Sequence, residues 1–232
     1  MIAFNFQPMD NDQDEISIQD FIGNKDDLVA GATAASSDQI QVWDGTRFSI
    51  YFYRAYSSKI PKFTLGPAWV ASSKNSVPTT DKIKRGSGVW FARPTDKAAG
   101  VITVSGAINA ASKTHDILAG FNMISSAFPC DFKFNDGPID WETCGAVAGA
   151  TAASSDQIQV WDGSKFSIYF YRAYSSKIPK FTLGPAWVAS SKNSVPTTDT
   201  IPAGKGFWYA RPSTASSGTL VEKSPIAPVA AE

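Results

Sequence analysis

The chain has 232 residues, 43% of them hydrophobic and 18% charged, with 21 basic and 21 acidic side chains. Two modest folded domains fit that length, and the charge content lies below the ~25% of an average soluble domain. Zero formal net charge, balanced in each half, argues against a general nucleic-acid binder. No apolar run reaches the roughly 18–20 residues of a membrane span. The first ten residues lack the basic start and apolar core of a signal peptide, so export would require a signal absent from the sequence shown.

The first notable segment is Asp10-Asn-Asp-Gln-Asp-Glu15. Alternating oxygen-bearing side chains suit calcium, a hard cation, and make Asp10, Asp12 and Asp14 weak calcium candidates, with Asn24, Asp26 and Asp27 within reach of a suitable fold. The sixth position carries no glycine, so this is not an EF-hand, and a solvated acidic turn is the plainer reading.

An internal repeat dominates the rest. Val29–Asp81 and Val147–Asp199 agree at 51 of 53 positions, differing only at Thr46/Ser164 and Arg47/Lys165. The match continues in Gly86-Ser-Gly-Val-Trp-Phe-Ala-Arg-Pro94 against Gly204-Lys-Gly-Phe-Trp-Tyr-Ala-Arg-Pro212. A repeat this long is a complete domain rather than a solenoid unit, which places one module at 1–106 and a second at 107–232. The stretch Ala107–Gly120 has no visible counterpart in the first module.

Within each module the pattern is β. Gln39–Trp43 and Phe48–Tyr53 alternate around Asp44-Gly45, which predicts a hairpin. A three-residue loop, Trp43–Gly45, would gather Ile40, Val42, Phe48, Ile50 and Phe52 on one face. Tyr51 and Tyr53, repeated as Tyr169 and Tyr171, then lie on the other face, where they pack within the chain or contact a partner. Further strands are expected at Phe63–Leu65, Trp69–Ala71, Val89–Ala92, Gly100–Ser105, Phe207–Ala210 and Gly218–Lys223, while Ala107–Ala119 is a weak helical candidate. Gly86 and Gly204 read as turns into strands. Short strands with Gly/Pro-marked turns favour an all-β fold of two tandem antiparallel β-sandwich-like domains.

Catalytic constellations are missing from this reading. His115 is the sole histidine, expected to be exposed or locally bonded, and neither GxSxG nor HExxH occurs. Cys130 and Cys144 either form a disulfide or remain two buried thiols. The chain therefore reads as non-enzymatic, with no cofactor beyond the weak calcium expectation.

Phe121–Pro129, Asp156–Gly163 and Gly204–Tyr209 together resemble β modules of large secreted or surface-associated bacterial proteins. That resemblance implies an extracellular or cell-surface structural role and favours the disulfide. The expected function is a filament or surface-layer subunit, a homo-oligomer assembling head to tail or by terminal-strand addition. The alternative is a tandem carbohydrate-binding or adhesive module. It would use Trp43, Tyr51, Tyr53, Gln39 and Gln41, and their repeats Trp161, Tyr169, Tyr171, Gln157 and Gln159, to stack on and hydrogen-bond a glycan.

Overall fold

The computed structural model describes residues 1–3, 14–55, 66–108, 110–173 and 184–225. The fold is all-β, with short 3-10 turns as its helical elements among the described residues. The first module contains β1 (Ile2–Ala3), β2 (Glu15–Ser17), β3 (Gln39–Trp43), β4 (Phe48–Arg54), β5 (Ala68–Ala71), β6 (Lys82–Lys84) and β7 (Gly88–Ala92). The second contains β8 (Lys113–Ile117), β9 (Gly120–Ser125), β10 (Phe132–Lys133), β11 (Gln157–Trp161), β12 (Phe166–Arg172), β13 (Ala186–Ala189), β14 (Thr200–Ile201), β15 (Gly206–Arg211) and β16 (Gly218–Glu222). Each module builds one five-stranded antiparallel sheet, ordered β1-β7-β3-β4-β5 and β13-β12-β11-β15-β9. Two-stranded ladders form the opposing layers: β2–β6 in the first module, β10–β14 and β8–β16 in the second.

The hairpin register differs from the sequence expectation. Trp43 pairs with Phe48 and Ile40 with Tyr51, so the loop is Asp44–Arg47. The Asp44 carboxylate causes this by accepting the backbone N–H groups of Thr46 and Arg47 and the Thr46 hydroxyl, while Gly45 takes φ 103°. A register change of odd parity turns side chains to the other face. Ile40 and Val42 therefore share the core face with Tyr51 and Tyr53. Gln39, Gln41 and Trp43 share the opposite face with Phe48, Ile50 and Phe52.

Each core lies between the large sheet and the small layer. Ile16, Ile18, Phe21, Ile22 and Ile83 close on Ile40, Tyr51, Tyr53, Trp69 and Val89. In the second module Phe132, Phe134, Trp141, Ile201 and Leu220 close on Ile158, Tyr171, Trp187, Phe207 and Tyr209. Phe63–Leu65 lies outside the described residues. Gly100–Ser105 does not form the expected strand, and Ala107–Ala119 supplies β8 rather than a helix.

The outer sheet edges are plugged by amide side chains. Gln19 accepts the Trp69 N–H and donates to its carbonyl, and Asn135 does the same for Trp187. Thr79 and Thr197 donate a second backbone N–H to the same two carbonyls. An edge satisfied in this way no longer templates another strand.

A buried carboxylate fixes the start of each central hairpin. Asp156 accepts the Val147 N–H, the Tyr209 hydroxyl and two bonds from Arg211, at 3.0 and 3.3 Å. Its counterpart Asp38 holds Val29 N–H and Arg93. Removing one partner of a buried pair leaves an uncompensated charge. Asp156→Ala is expected to cost about 3–5 kcal/mol in urea denaturation of the whole chain. A loss below about 1 kcal/mol would show that Arg211 is satisfied elsewhere.

Burial, with a hydrogen bond to Asp81 or Asp199, raises the Tyr51 and Tyr169 phenols to about 12. A folded-state pKa raised above the unfolded value near 10 gives stability that is complete below pH ~10 and lost as pH rises through about 12. An ultraviolet phenolate titration should show these tyrosines ionising late, together with alkaline unfolding. Ionisation of every tyrosine near pH ~10 with the fold intact would refute this.

Candidate functional site: the seam between the modules

Gly86 and Gly204 adopt φ of 84° and 81°, turning the chain into β7 and β15. The glycines two residues later have a different task. A Cβ on Gly88 would stand 2.7 Å from the Ile124 carbonyl oxygen, and one on Gly206 would stand 3.1 Å from the Gly88 Cα. The two backbones cross here: a Cβ on Gly88 would overlap backbone, and one on Gly206 would press tightly on it.

The contact around this crossing is reciprocal. Ala3 N–H donates to the Gly204 carbonyl at 2.9 Å, and Ser125 N–H donates to the Gly86 carbonyl at 2.8 Å. Ala3 and Ser125 are equivalent, because they pair with Gly88 and Gly206. The aromatic contacts repeat the relation: Trp43 meets Trp208 at 5.4 Å, and Trp90 meets Trp161 at 5.8 Å. Each module presents the same surface to the other, which is an isologous contact within one chain.

Each tryptophan pair gathers a phenylalanine, Phe48 on Trp43 at 5.0 Å and Phe166 on Trp161 at 4.9 Å. Among the described residues, only the first cluster has a fourth ring, Phe121, at 5.7 Å from Trp208. Trp43 Nε1 also donates to the Phe121 carbonyl at 2.8 Å.

Beside this cluster lies a cleft of about 360 Å³, lined among others by Trp43, Asp44, Lys84, Arg85, His115 and Asp116. Its charges are largely engaged. Asp14 pairs with Arg85 at 2.8 Å and Lys113 at 3.0 Å, and these two cations hold its carboxyl below the ordinary range despite the opposing effect of desolvation. Arg85 is itself buried, donates to the Ala127 carbonyl and lies over the Phe128 ring, 5.7 Å from its centroid. It thereby clamps the second module onto the first. On the second module, buried His115 meets Glu222 at 3.0 Å, and Glu222 also accepts from Ser126 Oγ and Ala127 N–H. The carboxylate stands between the hydroxyl and the imidazole.

The structure rearranges the candidate ligand residues. Tyr51, Tyr53 and Tyr171 are buried in the cores, and Tyr169 packs on Phe134 at 4.3 Å, so none reaches the seam. Trp43 and Trp161 do lie on it. Gln39 and Gln41 occupy the tryptophan face, but Gln41 donates to Gln39 and Gln39 to the Ala34 carbonyl. The expected platform of two tyrosines, two glutamines and a tryptophan is thus split between opposite faces of the sheet. Cys130 and Cys144 form no disulfide, and Cys144 Sγ instead accepts the Val221 N–H at 3.3 Å. Of the calcium candidates, Asp10 and Asp12 lie outside the described residues, and Asp14 is taken up by its two cations.

Sequence reasoning missed Trp90, Trp208, Arg85 and Glu222 as seam or cleft residues. Trp90 and Trp208 do stand at matching places in the repeated GVWFARP and GFWYARP segments, on the opposite parity to core residues Val89 and Phe207. No protein-family model, curated protein or solved structure matches the chain.

Gly88→Ala forces the Ile124 backbone to move, and overpacking of this kind costs about 1–3 kcal/mol. The expected result is a lower Tm, red-shifted tryptophan emission and a larger radius in small-angle scattering. Unchanged scattering and emission would show that the crossing does not set the module arrangement.

Proposed function

We propose that the chain is a non-enzymatic structural protein, a preassembled pair of β modules that builds larger assemblies with other copies. The observation that carries this reading is the reciprocal seam, in which Trp43, Trp90, Trp161 and Trp208 are spent on contacts between modules. Four tryptophans holding two near-identical domains in fixed relation is what a rigid building block requires. An isologous contact closes on itself, so repeating the seam cannot produce head-to-tail growth. Assembly must use other surfaces. The plugged edges at β5 and β13 argue against addition there.

A second reading rests on the cleft. Trp43 lines it together with Lys84, Arg85, Lys113, Asp44 and Asp116, and Asp14 engages Arg85 and Lys113, so one aromatic ring stands among charges of both signs, an environment suited to a polyhydroxyl ligand such as a glycan.

Negative-stain electron microscopy of the full chain over a concentration series tests the first reading. Regular fibres or arrays are expected as concentration rises. Discrete particles at every concentration would sink it. A glycan-array signal abolished by Trp43→Ala would then support the second reading.

A further inference from the structure

Three sheet edges have covered backbone, in whole or in part. Gln19 and Asn135 plug β5 and β13, and β9 uses its Ser125 N–H and Phe121 carbonyl in the seam. The fourth edge differs. β9 covers the full length of β15, from Gly206 to Arg211, whereas β1 covers only Gly88 and Val89 of β7.

The register identifies what this leaves open. Asp38 and Tyr53 are hydrogen-bonded opposites, so Gln39 and Gln41 direct their backbone groups toward β7. Their partners Ala92 and Trp90 point back at them, and Phe91 and Arg93 point outward. Those outward N–H and C=O groups meet no strand among the described residues. Exposure agrees. Phe91, Ala92 and Arg93 are half-buried, whereas their counterparts Tyr209, Ala210 and Arg211 are buried under β9. The same contrast runs through the adjoining layer. Leu220 of β16 is 0% exposed beneath β8, while Ile102 is half-buried and its neighbour Val101 is 74% exposed.

We propose that the Phe91–Arg93 edge is a strand-acceptor site for an extended segment of another polypeptide, with the chemistry of the β8–β9 segment. The second module supplies the template. The incoming residue opposite Phe91 exchanges both backbone hydrogen bonds, as Asn122 is placed to do with Tyr209. The residue opposite Ala92 is aromatic and packs on Trp90, as Phe121 packs on Trp208. Its carbonyl accepts from Trp161 Nε1, as the Phe121 carbonyl accepts from Trp43. The Trp90–Trp161–Phe166 cluster is thus a three-ring version of a four-ring cluster, with the fourth place set by register. Strand addition of this kind takes affinity from the backbone and specificity from alternate side chains. The inference deepens the assembly reading by naming a surface that another subunit would engage, and it rests on that reading only for its biological purpose.

The test titrates the 232-residue chain with a C-terminally amidated peptide of the Lys113–Asn122 sequence, read by calorimetry and tryptophan fluorescence. Saturable one-to-one binding is expected. A peptide with alanine in place of its phenylalanine, and one N-methylated at its final asparagine, should each bind about tenfold more weakly. Trp161→Phe in the chain, which keeps a ring but loses the indole donor, should weaken the parent peptide several-fold. Equal binding of all three peptides, no binding, or a chain dimer that the peptide cannot displace would each overturn the proposal. Fibres are scored separately: selective peptide binding without fibres retains the site and removes the assembly role, and fibres without peptide binding do the reverse.

Discussion

Two glycine Cα atoms fix this molecule. Gly88 and Gly206 let β7 and β15 approach where they cross, and any Cβ there would meet backbone. Close approach brings the Ala3 and Ser125 N–H groups onto the opposite module's glycine carbonyls and sets the tryptophans 5.4 and 5.8 Å apart. Backbone cannot yield as a flexible side chain can, so a side chain at Gly88 would have to displace β9 at Ile124. The Arg85 clamp and the Trp43 hydrogen bond then work on a separation that the glycines have already set.

Most of the all-β architecture was legible in the sequence because the strands announce themselves by alternation and the modules by repetition. The facing of the central hairpin was not. Both faces of β4 are apolar, with Phe48, Ile50 and Phe52 on one and Tyr51 and Tyr53 on the other, so alternation alone could not choose between them. Three hydrogen bonds to one exposed carboxylate, Asp44, decided the loop length and with it the face that entered the core. The phenol oxygens did not exclude the tyrosines, since Tyr51 reaches Asp81 at the core margin.

Gly100–Ser105 failed for another reason. Its alternating Val, Ile, Thr and Val match a strand, and the corresponding β16 is one. A strand needs a ladder partner before its backbone groups are satisfied. β16 finds β8, and Gly100–Ser105 has no corresponding partner strand among the described residues. The seam was equally hidden. A reciprocal contact between repeats depends on which faces meet, and no one-dimensional pattern carries that information.

The divergence between the repeats follows the same physics. Identity is almost complete from Val29 to Asp81, where the sheet and core of the two modules see nearly equal surroundings. It breaks where β8 and β9 enter, each in its own sheet. Glu222 is tolerated as a buried carboxylate because His115, Ser126 and the Ala127 N–H converge on it, and His115 arrives on β8. Val104 occupies the equivalent place in the first module, where no counterpart of β8 lies among the described residues to bring an imidazole. Tyr209 bonds Asp156 beneath β9. Phe91 gives Asp38 no hydroxyl, and Arg93 meets that carboxylate at 2.7 and 3.0 Å. Arg85 faces Asp14 and the second module's Ala127, while its counterpart Ala203 meets Asp131 through its backbone N–H alone. One duplicated scaffold thus carries a β15 edge closed by β9 and a β7 edge that, among the described residues, β1 covers only at Gly88 and Val89, and the substitutions that separate the modules cluster at the seam and along the β7 edge.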